Sequence, residues 1–97
     1  MAGELNIVVT LRVRVGKEAE AEPLLCEMEA ATLANDEGCL RYEWYRAEAP
    51  QTYILVERWT GEAAVQAHLK APHMAEIFQK IGPLMPEPFT ATPLTKL

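Results

Sequence analysis

Between residues 39 and 59 two strand patterns meet at a short bend, and neither offers water a purely polar face. Leu40, Tyr42 and Trp44 alternate with Arg41, Glu43 and Tyr45; Tyr53, Leu55, Glu57 and Trp59 alternate with Ile54, Val56 and Arg58. A period of two is the mark of a strand. Ala49-Pro50 supplies the bend of a hairpin over 39–48 and 51–59. Helices can cover only one side of such a sheet, and a row of large apolar groups is left on the other. Monomers rarely expose an apolar face of several hundred Å². The hairpin therefore predicts a second copy packed sheet to sheet as a homodimer.

The remaining elements fit around this hairpin. Residues 5–15 alternate cleanly, with Ile7, Val9, Leu11, Val13 and Val15 on one face, and Gly16 ends the strand. Residues 17–35 are rich in Ala, Glu, Leu and Met, which favours a helix. Its stripe is Ala21, Leu24, Leu25, Met28, Ala31 and Thr32. Pro23 is the discordant residue: either the first turn bends, or the regular helix starts near Glu22. Asn35-Asp36-Glu37-Gly38 gives a stop and a turn. Thr60 is placed to cap a short helix over 61–70, and Pro72 breaks it and opens another. Met74, Ile77, Phe78 and Ile81 keep the i, i+3, i+4, i+7 spacing of a buried stripe. Residues 89–95 form a last strand, which Pro93 assigns to an edge or bulge. The order strand, helix, strand, strand, helix pair, strand is that of an α+β, ferredoxin-like domain, a four-stranded antiparallel sheet with helices on one face. At 97 residues the chain makes one domain, 1–97.

Charge and composition exclude several functions. A net charge of −5 opposes nucleic acid, which is bound through basic patches, and opposes acidic membranes. No apolar run nears the ~20 residues that span a bilayer. The first residues alternate instead of forming an apolar block, so they read as strand and not as a leader, and the two cysteines read as reduced cytoplasmic thiols. Neither Cys26 nor Cys39 has a second cysteine or a histidine at ligand spacing, so no metal site is expected, and both are read as inert core thiols.

The segments GCLRYEWYR, YILVERW and AHLKAPHM together resemble the antibiotic biosynthesis monooxygenase family. The most specific parts are Gly38-Cys39-Leu40 with Tyr42, Glu57 with Trp59, and Ala67-His68-Leu69 followed by Pro72-His73. The resemblance implies a dimeric α/β barrel and a monooxygenase that needs no metal, flavin or haem and takes O₂ as co-substrate. A quinol-like or polycyclic phenolic substrate would be ionised and would then pass an electron to O₂ directly. The haem-degrading branch of the family carries asparagine, tryptophan and histidine where this chain aligns Val9, His68 and Phe78, so haem degradation is not expected. The competing readings are a non-catalytic dimer that binds small aromatic ligands, and an isomerase of a small hydroxy-ketone phosphate. No cluster of basic residues is available for the phosphate.

His68 lies at the edge of an apolar helical stripe, and an imidazole titrates in the range a general base needs, so it is the candidate catalytic residue. The plain alternative is a half-buried histidine bonded to the backbone. Tyr42, Glu57, Trp59, His73 and Phe78 are the candidate substrate-binding residues. Each has an ordinary reading too: the aromatics as packing groups, His73 as a surface or capping residue, and Glu57 as an ion-pair partner of Arg41 or Arg58. Met74, Ile77, Phe78 and Met85 form a flexible apolar group, either core or the far wall of a pocket.

Overall fold

A computed structural model gives the structure of residues 3–97. Met1 and Ala2, which open the alternating stretch read against a leader, lie outside the described residues. The elements are β1 (Leu5–Arg12), α1 (Glu18–Asn35), β2 (Cys39–Arg46), β3 (Thr52–Trp59), α2 (Glu62–Leu69), α3 (Pro72–Ile81), a 3₁₀ turn (Gly82–Leu84) and β4 (Thr90–Leu94). The sheet is antiparallel in the order β2-β3-β1-β4. This is the ferredoxin-like arrangement predicted from the element order. Among the described residues no helix is long and apolar enough to cross a membrane.

The register decides which side meets the helices. Val9 pairs with Leu55 and Leu11 with Tyr53, while Tyr42 pairs with Glu57. These side chains are buried, together with Val13 and Trp59, against Ala21, Leu25, Met28 and Thr32 of α1 and Met74, Ile77 and Ile81 of α3. The opposite side carries Val8, Thr10, Ile54, Val56 and Tyr45, all half-buried or exposed. It is less uniformly apolar than the hairpin alone suggests, because Arg41 pairs with Glu43 and Arg58 with Glu4 on or beside it.

Several expectations need correction. α1 is regular from Glu18, with Pro23 inside it, so the helix does not begin near Glu22. Pro23 is the sixth helical residue, past the first turn, so it removes one i→i−4 bond, the one to the Ala19 carbonyl; Ala19 and the proline ring are both exposed, where water can serve that carbonyl. Thr60 does not cap α2. Gly61 occupies the cap position, and the Thr60 N–H donates to the Gly38 carbonyl at 2.9 Å. β1 ends at Arg12, because the N–H groups of Val13 and Arg14 donate to the carbonyls of Gln51 and Leu84, outside the ladder. Cys26 is exposed and is no core thiol; Cys39 is half-buried, and burial pushes its thiol up to about 11. β4 pairs only with β1, so Pro93 stands on an edge strand as expected.

Candidate functional site

Three chain segments build the site, and a glycine lets them meet. Gly38 has φ +85°, and a Cβ there would lie 2.6 Å from Thr60 Oγ1 and 2.7 Å from the Ala64 Cβ. Without a side chain, the end of α1 can rest directly on the start of α2. That contact sets Asp36, the C-cap of α1, beside the last turn of α2, where His68 stands.

His68 is 3% exposed and its Nδ1 lies 2.5 Å from Asp36 Oδ2; His73 Nε2 lies 3.2 Å from the same oxygen. Asp36 is itself 8% exposed at its side chain and His73 is 19% exposed. A carboxylate only accepts hydrogen bonds, so both histidines donate to it. His68 therefore carries its proton on Nδ1, and Nε2 is the ring nitrogen left with a lone pair. The His68 ring packs against Trp59 (centroids 4.7 Å apart) and Tyr42 (5.3 Å), which fixes its plane.

His68 also forms part of the wall of a cavity of about 220 Å³ between sheet and helices. Ile7, Val9 and Leu11 line one side of it, and Met74 and Phe78 another. Phe89, just before β4, stacks on Phe78 at 5.7 Å and also contributes to the wall. The polar groups in this apolar wall are few: Tyr42, Trp44, Glu57 and His68. Glu57 is 7% exposed, and its Oε1 accepts the Trp59 indole N–H at 2.8 Å. It has no arginine partner among the described residues. Burial raises its carboxyl above the ordinary value, while the Trp59 hydrogen bond and His68 work in the other direction. Burial, with the Glu57 charge second, also raises the Tyr42 phenol, which holds it neutral. The Trp44 Nε1–H is buried without a hydrogen-bond partner.

A family model for antibiotic biosynthesis monooxygenases matches residues 5–80, which includes the whole Asp36–His68–His73 group. The chain belongs to the antibiotic biosynthesis monooxygenase family. Among its relatives is a protein of Mycobacterium tuberculosis described as "Putative monooxygenase Rv0793", 26% identical, with 100% of this chain and 95% of that protein covered. Escherichia coli YgiN, described as "Probable quinol monooxygenase", is 26% identical over 72% of this chain and 77% of its own length. A family structure from Caulobacter crescentus superposes with a TM-score of 0.91 at 26% identity, covering 98% of this chain and 91% of that one. The Rv0793 structure gives 0.87 at 24% identity, over 97% and 95%, and supports the fold alone.

Within this family member the predicted site residues divide into two groups. His68, Tyr42, Glu57 and Phe78 reach the cavity wall. Trp59 and His73 do not. Trp59 is fully buried behind His68 and Glu57, and His73 sits on the far side of Asp36. Glu57 faces the cavity instead of pairing with Arg41 or Arg58, which bond Glu43 and Glu4. Met74 and Phe78 line the cavity, whereas Ile77 and Met85 do not. Asp36 was not singled out from the sequence, since it reads there as one turn residue among four. Asp36, His68 and His73 are also the one group among the described residues with three donor atoms close enough to hold a metal ion.

Proposed function

We propose that this chain is a cofactor-independent monooxygenase acting on an electron-rich phenol of the quinol type, with His68 as general base and Asp36 as the residue that positions it. The observation that carries this reading is the buried Asp36–His68 bond at the wall of an apolar cavity. It fixes the ring of a wall residue of a cavity where a phenolic ring fits and water is scarce, and it leaves Nε2 free to take up a proton.

In the proposed cycle the substrate O–H gives its proton to His68 Nε2. The anion left behind passes one electron to O₂, and the resulting superoxide and ring radical join as a C–O bond. The O–O bond of this peroxide and the C–H bond at the same ring carbon then break together. The C–H electron pair makes the C=O bond, the hydrogen passes as a proton to the outer oxygen, and that oxygen leaves as hydroxide and takes the proton back from His68 as water. The substrate supplies all the electrons, so no bound redox group is needed. Burial favours the protonated form of Glu57, and in that form it can donate a hydrogen bond to a second ring oxygen; the unpaired Trp44 N–H lies in the same wall.

The cavity lies below the range of about 300–1,000 Å³ usual for drug-sized ligands, which favours one or two rings over larger polycycles. It has no lysine or arginine in its wall, so an isomerase of a phosphorylated hydroxy-ketone is a poor fit. A binder without activity would have no need of the oriented His68.

The homodimer belongs to the same proposal. Val8, Ile54, Val56 and Tyr45 on the open side of the sheet need cover, and a second sheet supplies it. Light scattering at micromolar concentration should give twice the chain mass; a stable monomer would remove the sheet-to-sheet pair. For the activity, oxygen uptake with a chemically reduced naphthoquinone is the test. Consumption above the spontaneous rate, proportional to protein, is expected. A rate no different from buffer, across several one- and two-ring quinols, would overturn the reading.

A further inference from the structure

Asp36, His68 and His73 come from the ends of three different helices and offer two imidazole nitrogens and one carboxylate oxygen within 4.8 Å of one another. We propose that these three residues form a binding site for a divalent ion of the zinc type, and that an ion seated there switches His68 off as a base. The first half stands on the cluster alone; the second rests on the function proposed above.

The donor set decides the class of ion. Calcium and magnesium require mostly oxygen ligands. Two histidines and one carboxylate suit zinc and its neighbours, and three protein ligands leave a fourth position open. The dimensions are also suitable. Bonds of about 2.0–2.2 Å in a tetrahedron place ligand atoms roughly 3.4 Å apart. Here one pair is 3.2 Å apart and another 2.5 Å, with the third no more than 4.8 Å. The present hydrogen bonds thus hold the donors near the spacing an ion would impose. The graded exposure of the three side chains, greatest at His73, gives the ion a way in from solvent.

The consequence for His68 follows from imidazole chemistry. Today the proton sits on Nδ1 and the lone pair on Nε2. A metal ion takes the Nδ1 lone pair, so the neutral ring must carry its proton on Nε2. Nε2, the nitrogen proposed above as the base, then has no lone pair to accept a phenolic proton. The ion binds at one ring nitrogen, and the effect appears at the other.

Calorimetry with zinc chloride on chelator-stripped, full-length protein tests the site without reference to activity. One ion per chain with micromolar or tighter affinity is expected. His73→Ala and Asp36→Asn should each weaken it at least about tenfold, since a lost ligand costs no less than the 10–100-fold of a lost outer partner. No binding by the folded wild-type protein, or undiminished binding by both folded variants, would overturn the site. If a variant does not fold, cobalt(II) added to the wild-type chain keeps the question open to answer. The intense visible bands of a four-coordinate ion support the site, and the weak spectrum of the hydrated ion counts against it. Inhibition is read separately. Zinc should suppress oxygen uptake by the wild type, and the turnover of His73→Ala should be less sensitive than wild type relative to its own zinc-free rate. Binding without inhibition overturns the switch. Absence of turnover before zinc is added speaks against the proposed oxygenase and leaves the calorimetric result intact.

Discussion

The molecule holds two carboxylate-centred groups at opposite ends of its helices, and they differ in nearly every physical respect. At one end Asp36 is enclosed and receives two histidines. At the other, Glu22 receives Arg46 through two bonds of 2.6 and 2.8 Å and the Tyr53 hydroxyl at 2.7 Å, with Arg46 largely exposed. The second group has the better bond count and the better charge complementarity. Yet it sits in water, where solvent screens it and an unmade bond is easily replaced. At Asp36 there is little water to substitute for a lost partner, so each bond there has larger effects. A count of polar contacts therefore misplaces importance: burial decides it.

The sharpest way to break this comparison is His68→Ala. Turnover should fall about a hundredfold or more, the scale of a lost general base, while circular dichroism stays native. An unchanged rate in a folded variant would make His68 a packing residue. Asp36→Asn comes next. An amide can donate to Nδ1 and so favour the wrong tautomer, which should lower kcat roughly tenfold or more with little change in KM. If KM alone rises, Asp36 shapes the cavity and does not position the base.

Glu57→Gln probes burial without a partner charge. The folded carboxyl titrates above its unfolded value because it is desolvated. Its stabilising contribution is therefore complete below the unfolded pKa and is lost as pH rises through the folded one. The glutamine variant should be more stable than wild type at neutral pH, by up to about 1 kcal/mol, and the gain should vanish in acid. Urea unfolding at the two pH values would show it; equal stability differences at both would refute it. The smallest effect is expected for Glu22→Gln. Here the Arg46 bond, with Tyr53 second, holds the carboxyl down to about 2. Its contribution is present above the unfolded pKa near 4.5 and is lost as pH falls toward 2. Thermal scans should show a slight loss at neutral pH that disappears near pH 2, and a large loss would mean that exposed and enclosed ion pairs are more alike than argued.

The same contrast explains what could be read in advance. The strands and helices were legible because their residues repeat at periods of two and 3.6, and each repeat is local. The helix-facing side of the hairpin was not legible, since both of its faces carry large apolar groups; the pairing of Val9 with Leu55 resolves it. His68 and Glu57 were visible as polar residues in apolar stripes. Asp36 was not, because its partner lies 32 residues away and its neighbours are ordinary turn formers. Trp59 and His73 were grouped with the cavity through the family resemblance, Trp59 also because a ring substrate wants aromatic walls. A period-two strand does put Trp59 on the Glu57 face, but only the packing shows that its ring stops behind His68. Cys26 was misread as core because helix 17–35 has small and apolar residues on more than one side, and its position alone did not fix which side is inward.

Gly38 sets a condition on how this sequence can drift. It carries no charge, touches no ligand and offers no chemistry, so a survey of reactive side chains passes over it. Yet an added methyl group would strain its backbone and press on Thr60 and Ala64. The relief open to it is to move α2 off the end of α1, which would draw His68 away from Asp36. Many positions near the cavity can exchange one apolar side chain for another in small steps. From Gly38 even the smallest step, to alanine, has its effect on the next helix, at the bond that holds His68 to Asp36.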